Sequence, residues 1–372
     1  MSIVTTEQGF LARAGLDRLI DALRARDYAV IGPRVRDGAI VYGSIGAAAD
    51  LPTGVRDAQS PGRYALEPSP LARQFAWANG PQALKPLVFR PRERLWASWR
   101  TPTGELHFGA AAEAIEPTAV IGVRACDLAA LELQDRHFLR EPFPDPAYRA
   151  RRDALFLVAV HCTHPADTCF CASTGDGPEA ESGFDLALHE IDDGFIVAAG
   201  SDVGAAVLAG LDLPAADQAR MDAARAGVAA AAAAQSRALP SQDLRATLLE
   251  RLESPHWDAV AERCLSCGNC TAVCPTCFCH AEFDEPASDG IVSEHYRQWD
   301  SCFTAGHSYL HGIVIRAETR ARYRQWLTHK LAHWHDQYGR SGCVGCGRCI
   351  SWCPVGIDLT AEVVALAGEG KA

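Results

Sequence analysis

Residues 264–275 read CLSCGNCTAVCP and residues 343–354 read CVGCGRCISWCP. Both are C-x₂-C-x₂-C-x₃-C-P, the run that holds cubane iron–sulfur clusters in two-cluster ferredoxins. The spacing has a mechanical reason. Three thiolates two residues apart on a tight loop reach three corners of one cube. The fourth, set three residues further on at the start of a helix, points away, and the proline keeps the chain from folding back. In the two-cluster arrangement that fourth cysteine serves the other cube. The pattern therefore assigns Cys264, Cys267, Cys270 and Cys353 to one [4Fe–4S] cluster, and Cys343, Cys346, Cys349 and Cys274 to a second. Gly268, Gly345 and Gly347 suit loops whose N–H groups approach the sulfides closely. Zinc is the competing occupant, because paired C-x₂-C also builds zinc ribbons. Two full runs, each closed by Cys-Pro, favour the cubanes.

The rest of the composition agrees with a redox reading. Among 372 residues there are fifteen cysteines against two methionines, so sulfur is not used here as packing filler. Clustered cysteines in a reducing compartment mean metal or redox chemistry before they mean disulfides. A formal net charge of −11 argues against nucleic acid or an anionic membrane surface as the main partner. No run of apolar residues is long enough to span a bilayer, and residues 1–30 lack the charged-then-apolar order of a secretory signal. A cytoplasmic location is expected.

Length and a 48% apolar content allow two or three domains. LDRLIDALRARDY (16–28) has helical periodicity, and AIVYGSI (39–45) and LVFRP (87–91) read as strands. TAVIGVRACDLAALELQDRHFL (118–139) reads as a buried strand, a turn at Cys126 and a helix from near Asp127. RRDALFLVAVHCTH (151–164) repeats that logic, with Cys162 just past an apolar strand. FDLALHEIDDGFIVAAGSD (184–202) reads as a hairpin turning at Asp193-Gly194, and the Ala-rich 213–253 as a connecting helix pair. The expected organisation is an α/β region over 1–212 and a helical linker over 213–255. A mainly α-helical, ferredoxin-like domain over 256–372 follows, with an insertion at 277–342 between the cysteine runs. In the insertion's final helix, Arg316, Arg320, Arg324 and Lys330 are expected on a solvated basic face, with docking of an acidic redox partner as the alternative.

Seven cysteines remain, and TCFC occurs among them twice, at 168–171 and 276–279. Cys126 and Cys162 follow strands and converge at one sheet edge, and Cys169 and Cys171 arrive on the loop CTHPADTCFCASTGDGP. Four thiols suffice for a third iron–sulfur cluster, with zinc or unligated structural thiols as alternatives. Cys277, Cys279 and Cys302 form a three-thiol set. Asp300, His280 or His307 would complete a metal site there; otherwise the three tune the neighbouring clusters.

IGVRACDLAAL, HPADTCFCASTGDGP, CLSCGNCTAVCPTCFC, RQWDSC and CVGCGRCISWCPVGIDLT together resemble the beta subunit of cytoplasmic sulfhydrogenases, the NADP-linked nickel–iron hydrogenases. That subunit is itself similar to the A subunit of anaerobic sulfite reductase. The resemblance runs from about Lys85 to Asp358. It implies a hetero-oligomeric electron-transfer subunit. Its partners would be a flavin- and NAD(P)-binding subunit, a small iron–sulfur hydrogenase subunit and a nickel–iron large subunit. The equivalent role in a sulfite reductase complex is the alternative. The family's cluster ligands map onto the eight cysteines of the two runs. AGHSYLHG after Cys302 departs from the family pattern. The residues agree with a relay. There is no G-x-G-x-x-G between a strand and a helix, no paired-cysteine nickel site and no nucleophile elbow, so no catalytic residue is expected on this chain. A zinc-stabilised scaffold and a self-sufficient reductase using the N-terminal cysteines are the readings from other classes.

Overall fold

Thr118–Val123 and Leu155–Val160 pair in parallel and form the centre of a seven-stranded sheet. They are apolar along their whole length because both faces are covered. Ala119, Ile121, Phe156, Val158 and Val160 face one core with Leu16, Leu19, Ile20 and Leu23 of the helix Leu16–Arg24. Val120, Val123, Leu157 and Ala159 face another, with Leu128 and Leu131 of the helix Ala125–Phe138. Each such fully buried aliphatic side chain contributes about 1.5–3 kcal/mol. The sheet order is Gln8–Ala12, Gly194–Ala199, Leu186–Glu190, Leu155–Val160, Thr118–Val123, Ala29–Arg36, Ala39–Ser44. The middle four strands run parallel, and each outer strand pairs antiparallel with its inner neighbour. The hairpin at Asp193-Gly194 joins Leu186–Glu190 to Gly194–Ala199, which pairs on its other side with the edge strand Gln8–Ala12.

This computed structural model describes residues 8–82, 84–110 and 114–368. Residues 1–7, part of the stretch examined for an export signal, lie outside the described residues. Among those described, no helix is long and apolar enough to cross a membrane.

A second sheet has a less local origin. His280–Pro286 and Val292–Trp299, from the insertion between the cysteine runs, form a hairpin that pairs with Arg92–Arg100, itself paired with Leu106–Ala110. Buried Glu93 fixes the join, accepting from Arg297 Nε at 2.9 Å and from Arg151. Arg297 reaches Asp145 at 2.5 Å as well.

Three expectations change. LVFRP is not a strand: Lys85–Val88 is a helical turn, with Pro86 at its start where the missing N–H costs nothing. Cys126 is not in a turn before the helix but in its first turn, since the helix begins at Ala125. The C-terminal part is not simply helical, because the insertion contributes the hairpin and a small ladder, Tyr309–Leu310 with Ile313–Val314. The Ala-rich segment forms two helices, Gln218–Ala233 and Leu244–Glu250, capped by the Asp217 and Asp243 carboxylates.

Candidate iron–sulfur centres

The two cysteine runs fold alike. Gly268 and Gly347 take left-handed conformations (φ 75° and 73°) and start one-turn helices, Asn269–Ala272 and Arg348–Ser351. The third cysteine of each run, Cys270 or Cys349, lies inside that turn. The fourth, Cys274 or Cys353, follows its end rather than beginning a helix as the spacing argument expected. The chain's return through Pro275 or Pro354 then carries the fourth thiol to the other run.

Cys264, Cys267, Cys270 and Cys353 line one apolar cavity, with Phe303, Tyr323 and Trp326 around them. Cys274, Cys343, Cys346 and Cys349 line a second, with Phe170, Trp326 and Lys330. The fourth cysteine of each run thus lies with three cysteines of the other. Trp326 and Cys349 border both, so the cavities are neighbours.

The donor sets suit a thiolate-bound cluster. Burial pushes the thiols of Cys264, Cys270, Cys346 and Cys349 up, and that of Cys343 to about 12. Such thiols ionise when a bound cation supplies the compensating charge. Cys274 differs. Burial raises its pKa too, but the Lys330 ammonium overcomes that and leaves the thiol below its ordinary range. Lys330 Nζ lies 3.3 Å from Cys274 Sγ and donates to Thr276 Oγ1 at 2.8 Å and the Gly342 carbonyl at 3.3 Å.

Lys330 is therefore not on a solvated basic face. It is 6% exposed, at the start of a π-helical turn (His329–His333) inside the helix running from Thr319 to Tyr338. A buried ammonium persists only when its protons are matched, and three acceptors do so here. Arg320 and Arg324 are not free either: they pair with Glu253, and Arg320 also with Asp258 at 3.1 Å.

The two TCFC stretches clamp the second run from either side. Thr168 Oγ1 is 2.8 Å from Ser351 Oγ, at the end of that run's helix. Thr276 Oγ1 donates to Gly342, just before Cys343, at 2.8 Å. Phe170 N–H donates to the Gly345 carbonyl at 2.8 Å, and the backbone of 168–171 lies where a Cβ on Gly345 or Gly347 would stand. Beside Cys346, Arg348 makes a bidentate pair with Asp127 at 2.7 and 3.1 Å, both side chains 1% exposed.

The N-terminal thiols also meet. Cys126, Cys162, Cys169 and Cys171 line a third cavity, with Asn79, Arg124 and Gln235. The insertion's cysteines Cys277, Cys279 and Cys302 lie near one another, each close enough to perturb its neighbour's thiol. Among the described residues they do not form a close-packed set of metal-ligand atoms. His307 turns to Asp300 at 3.5 Å, and His280 Nδ1 lies 3.0 Å from the Phe278 carbonyl. Lys85 stands near this set, its Nζ donating to the Ala272 carbonyl at 3.0 Å. Sequence reasoning missed Lys85, Asn79, Arg124, Gln235 and the inward turn of Lys330. No local spacing announces them, because each reaches the cysteines from a distant part of the chain.

The family model of the 4Fe-4S dicluster domain matches residues 263–357, which include both runs and the insertion. Sulfhydrogenase 2 subunit beta of Pyrococcus furiosus is 34% identical to this chain over 242 residues, covering 64% of this chain and 71% of that protein. No solved structure matches. With both cysteine runs inside a dicluster domain and a third of the residues identical over most of that relative's length, the chain belongs to the sulfhydrogenase beta-subunit family.

Proposed function

We propose that this chain is an iron–sulfur electron-relay subunit of a soluble, multi-subunit nickel–iron hydrogenase of the sulfhydrogenase type. It carries electrons between a flavin- and NAD(P)-binding subunit and the small iron–sulfur and nickel–iron subunits, and has no catalytic site of its own. Cys264, Cys267, Cys270 and Cys353 hold one [4Fe–4S] cluster, and Cys274, Cys343, Cys346 and Cys349 the second. The observation that carries this reading is the exchange of fourth cysteines between two adjacent cavities, the arrangement that two-cluster ferredoxins use.

The clusters supply one-electron carriage. The chain's residues do the rest. The aromatic and aliphatic lining excludes water, and Lys330 places a positive charge against Cys274. Cys277, Cys279 and Cys302, beside Lys85, shape the surroundings of the second cluster and hold no metal. In domain terms we read residues 1–212 as the α/β part, 213–255 as the linker and 256–372 as the dicluster part.

Anaerobic purification of the tagged chain from its native host tests this. Co-purifying nickel–iron and flavin subunits are expected, with electrons passing from NAD(P)H to the brown, cluster-loaded chain only when the flavin subunit is present. A sirohaem subunit instead would move the chain to the sulfite reductase role. A colourless chain rich in zinc would refute the relay.

A further inference from the structure

We propose that Cys126, Cys162, Cys169 and Cys171 hold a third [4Fe–4S] cluster, adjoining the second so that the three form one line. The inference rests on the relay reading above and extends it.

The four thiols come from three places: the first turn of the helix Ala125–Phe138, the end of the strand Leu155–Val160 and the first TCFC. Adjacent parallel strands deliver the first two to the carboxyl edge of the sheet, where open α/β sheets carry their chemistry. The third and fourth are positioned by the clamp of Thr168–Cys171 on the second run. Together they line a small cavity of about 20 Å³, the same size as the cavity of Cys274, Cys343, Cys346 and Cys349. Cys126, Cys169 and Cys171 are buried and all four are free of disulfides.

Two further observations point to an anionic, sulfur-rich occupant. Arg124 is 2% exposed, and its guanidinium donates only to main-chain carbonyls, those of Phe75, Trp77, Ala78 and Val160. Among the described residues no carboxylate lies within ion-pair distance of it. A buried charge needs a counter-charge, and a cube bound by four thiolates supplies one at this cavity wall. Amide donors also face the sulfurs: Gln235 Nε2 is 3.3 Å from Cys171 Sγ, and Asn79 Nδ2 is 3.8 Å from Cys169 Sγ. N–H groups directed at cluster sulfurs are the chief means by which a protein tunes such a centre.

Spacing separates a cube from zinc. Four thiolates at about 2.3 Å from one zinc lie about 3.8 Å apart in a tetrahedron. Among the described residues, only His161, Glu179 and His189 bring three ligand atoms within 4.8 Å of one another; no three cysteine sulfurs do. The rings of His161 and His189 stack with their centroids 3.5 Å apart.

The order of the line follows from shared walls. The cavity of Cys264 and that of Cys343 share Trp326 and Cys349. The N-terminal cavity meets the second run at Cys346, which packs with Cys126 and Cys171. Its carbonyl accepts from Asn79 at 2.9 Å. The second centre is therefore in the middle. One electron enters the line and one leaves, with no bond made or broken, the reductant and oxidant being the partner redox subunits.

The test measures iron, acid-labile sulfide and zinc on the anaerobically purified full chain, with Cys169→Ser alongside. About twelve irons and matching sulfide are expected, falling to about eight in the variant. Gln235→Leu guards against misfolding of the cysteine variant: it should keep all the iron and lower one midpoint potential. About eight irons in the unaltered chain, or four-thiolate zinc beside eight irons, would overturn the third cluster and leave the two-cluster relay standing. So would full iron with every potential unmoved in Gln235→Leu. Iron near zero would remove both readings.

Discussion

Replacing Lys330 by methionine removes a buried positive charge 3.3 Å from the sulfur of Cys274 while keeping the length and packing of the side chain. Reduction of a cluster adds negative charge, so the ammonium favours the reduced state and its removal must lower the potential. For charges about 6 Å apart at an effective dielectric constant of about 20, Coulomb's law gives about 3 kcal/mol. For a one-electron couple that corresponds to about 130 mV. Water entering beside Thr276 and Gly342, which lose their donor, will recover part of it. The expected drop is therefore on the order of 100 mV. Redox titration followed by electron paramagnetic resonance reads each centre separately. One potential should fall in Lys330→Met and remain near its original value in Lys330→Arg, with full iron in both. If Lys330→Met keeps its iron and no potential falls, Cys274 does not carry a cluster beside Lys330, and the assignment of the second centre is wrong.

Two further outcomes follow from the ion pairs. Arg348→Met strands Asp127 as a buried carboxylate, which should cost about 3–5 kcal/mol and lower the thermal midpoint. The double variant with Asp127→Asn should regain much of that loss, and simple additivity would contradict the pairing. His295 lies between Asp284 at 2.8 Å and Glu282, and hydrogen bonding to Asp284 raises its pKa above 6.5. A raised histidine stabilises the fold below its unfolded pKa, and that contribution fades as pH climbs through the folded value. Amide protection factors in the 280–299 hairpin, corrected for the intrinsic pH dependence of exchange, should therefore fall above neutrality, and His295→Gln should flatten that fall. An unchanged profile in the variant would exclude His295 as the cause.

What the sequence reveals here is what short spacing encodes. The two cysteine runs are legible because three thiols per loop and a fourth beyond a one-turn helix are local geometry. The strands ending at Val123 and Val160 are legible because burial on both faces makes them uniformly apolar. LVFRP misleads for the same reason: a few apolar residues suit any buried element, and Pro86 at the start of a helical turn is the stronger signal. The pairing of Arg92–Arg100 with a hairpin two hundred positions later has no local mark, since cross-strand partners are chosen by the assembled fold. Lys330 is hidden by its type. A lysine among arginines on a polar helix reads as solvated until the helix is packed and its ammonium meets Cys274.

Both TCFC stretches close over the second cavity, with Phe170 in its wall and Thr168 and Thr276 tied to the run beneath. The consequence is one of chronology. A preformed cluster delivered by a carrier protein needs a path to Cys343, Cys346 and Cys349, and the loop 168–171 packs against that run. Loading of the second centre is expected before the N-terminal loop seats, with the α/β part settling last. An iron-isotope pulse during synthesis should label the C-terminal centres before residues 162–171 gain protease protection. Protection arriving first would mean that the loop reopens to admit the cofactor.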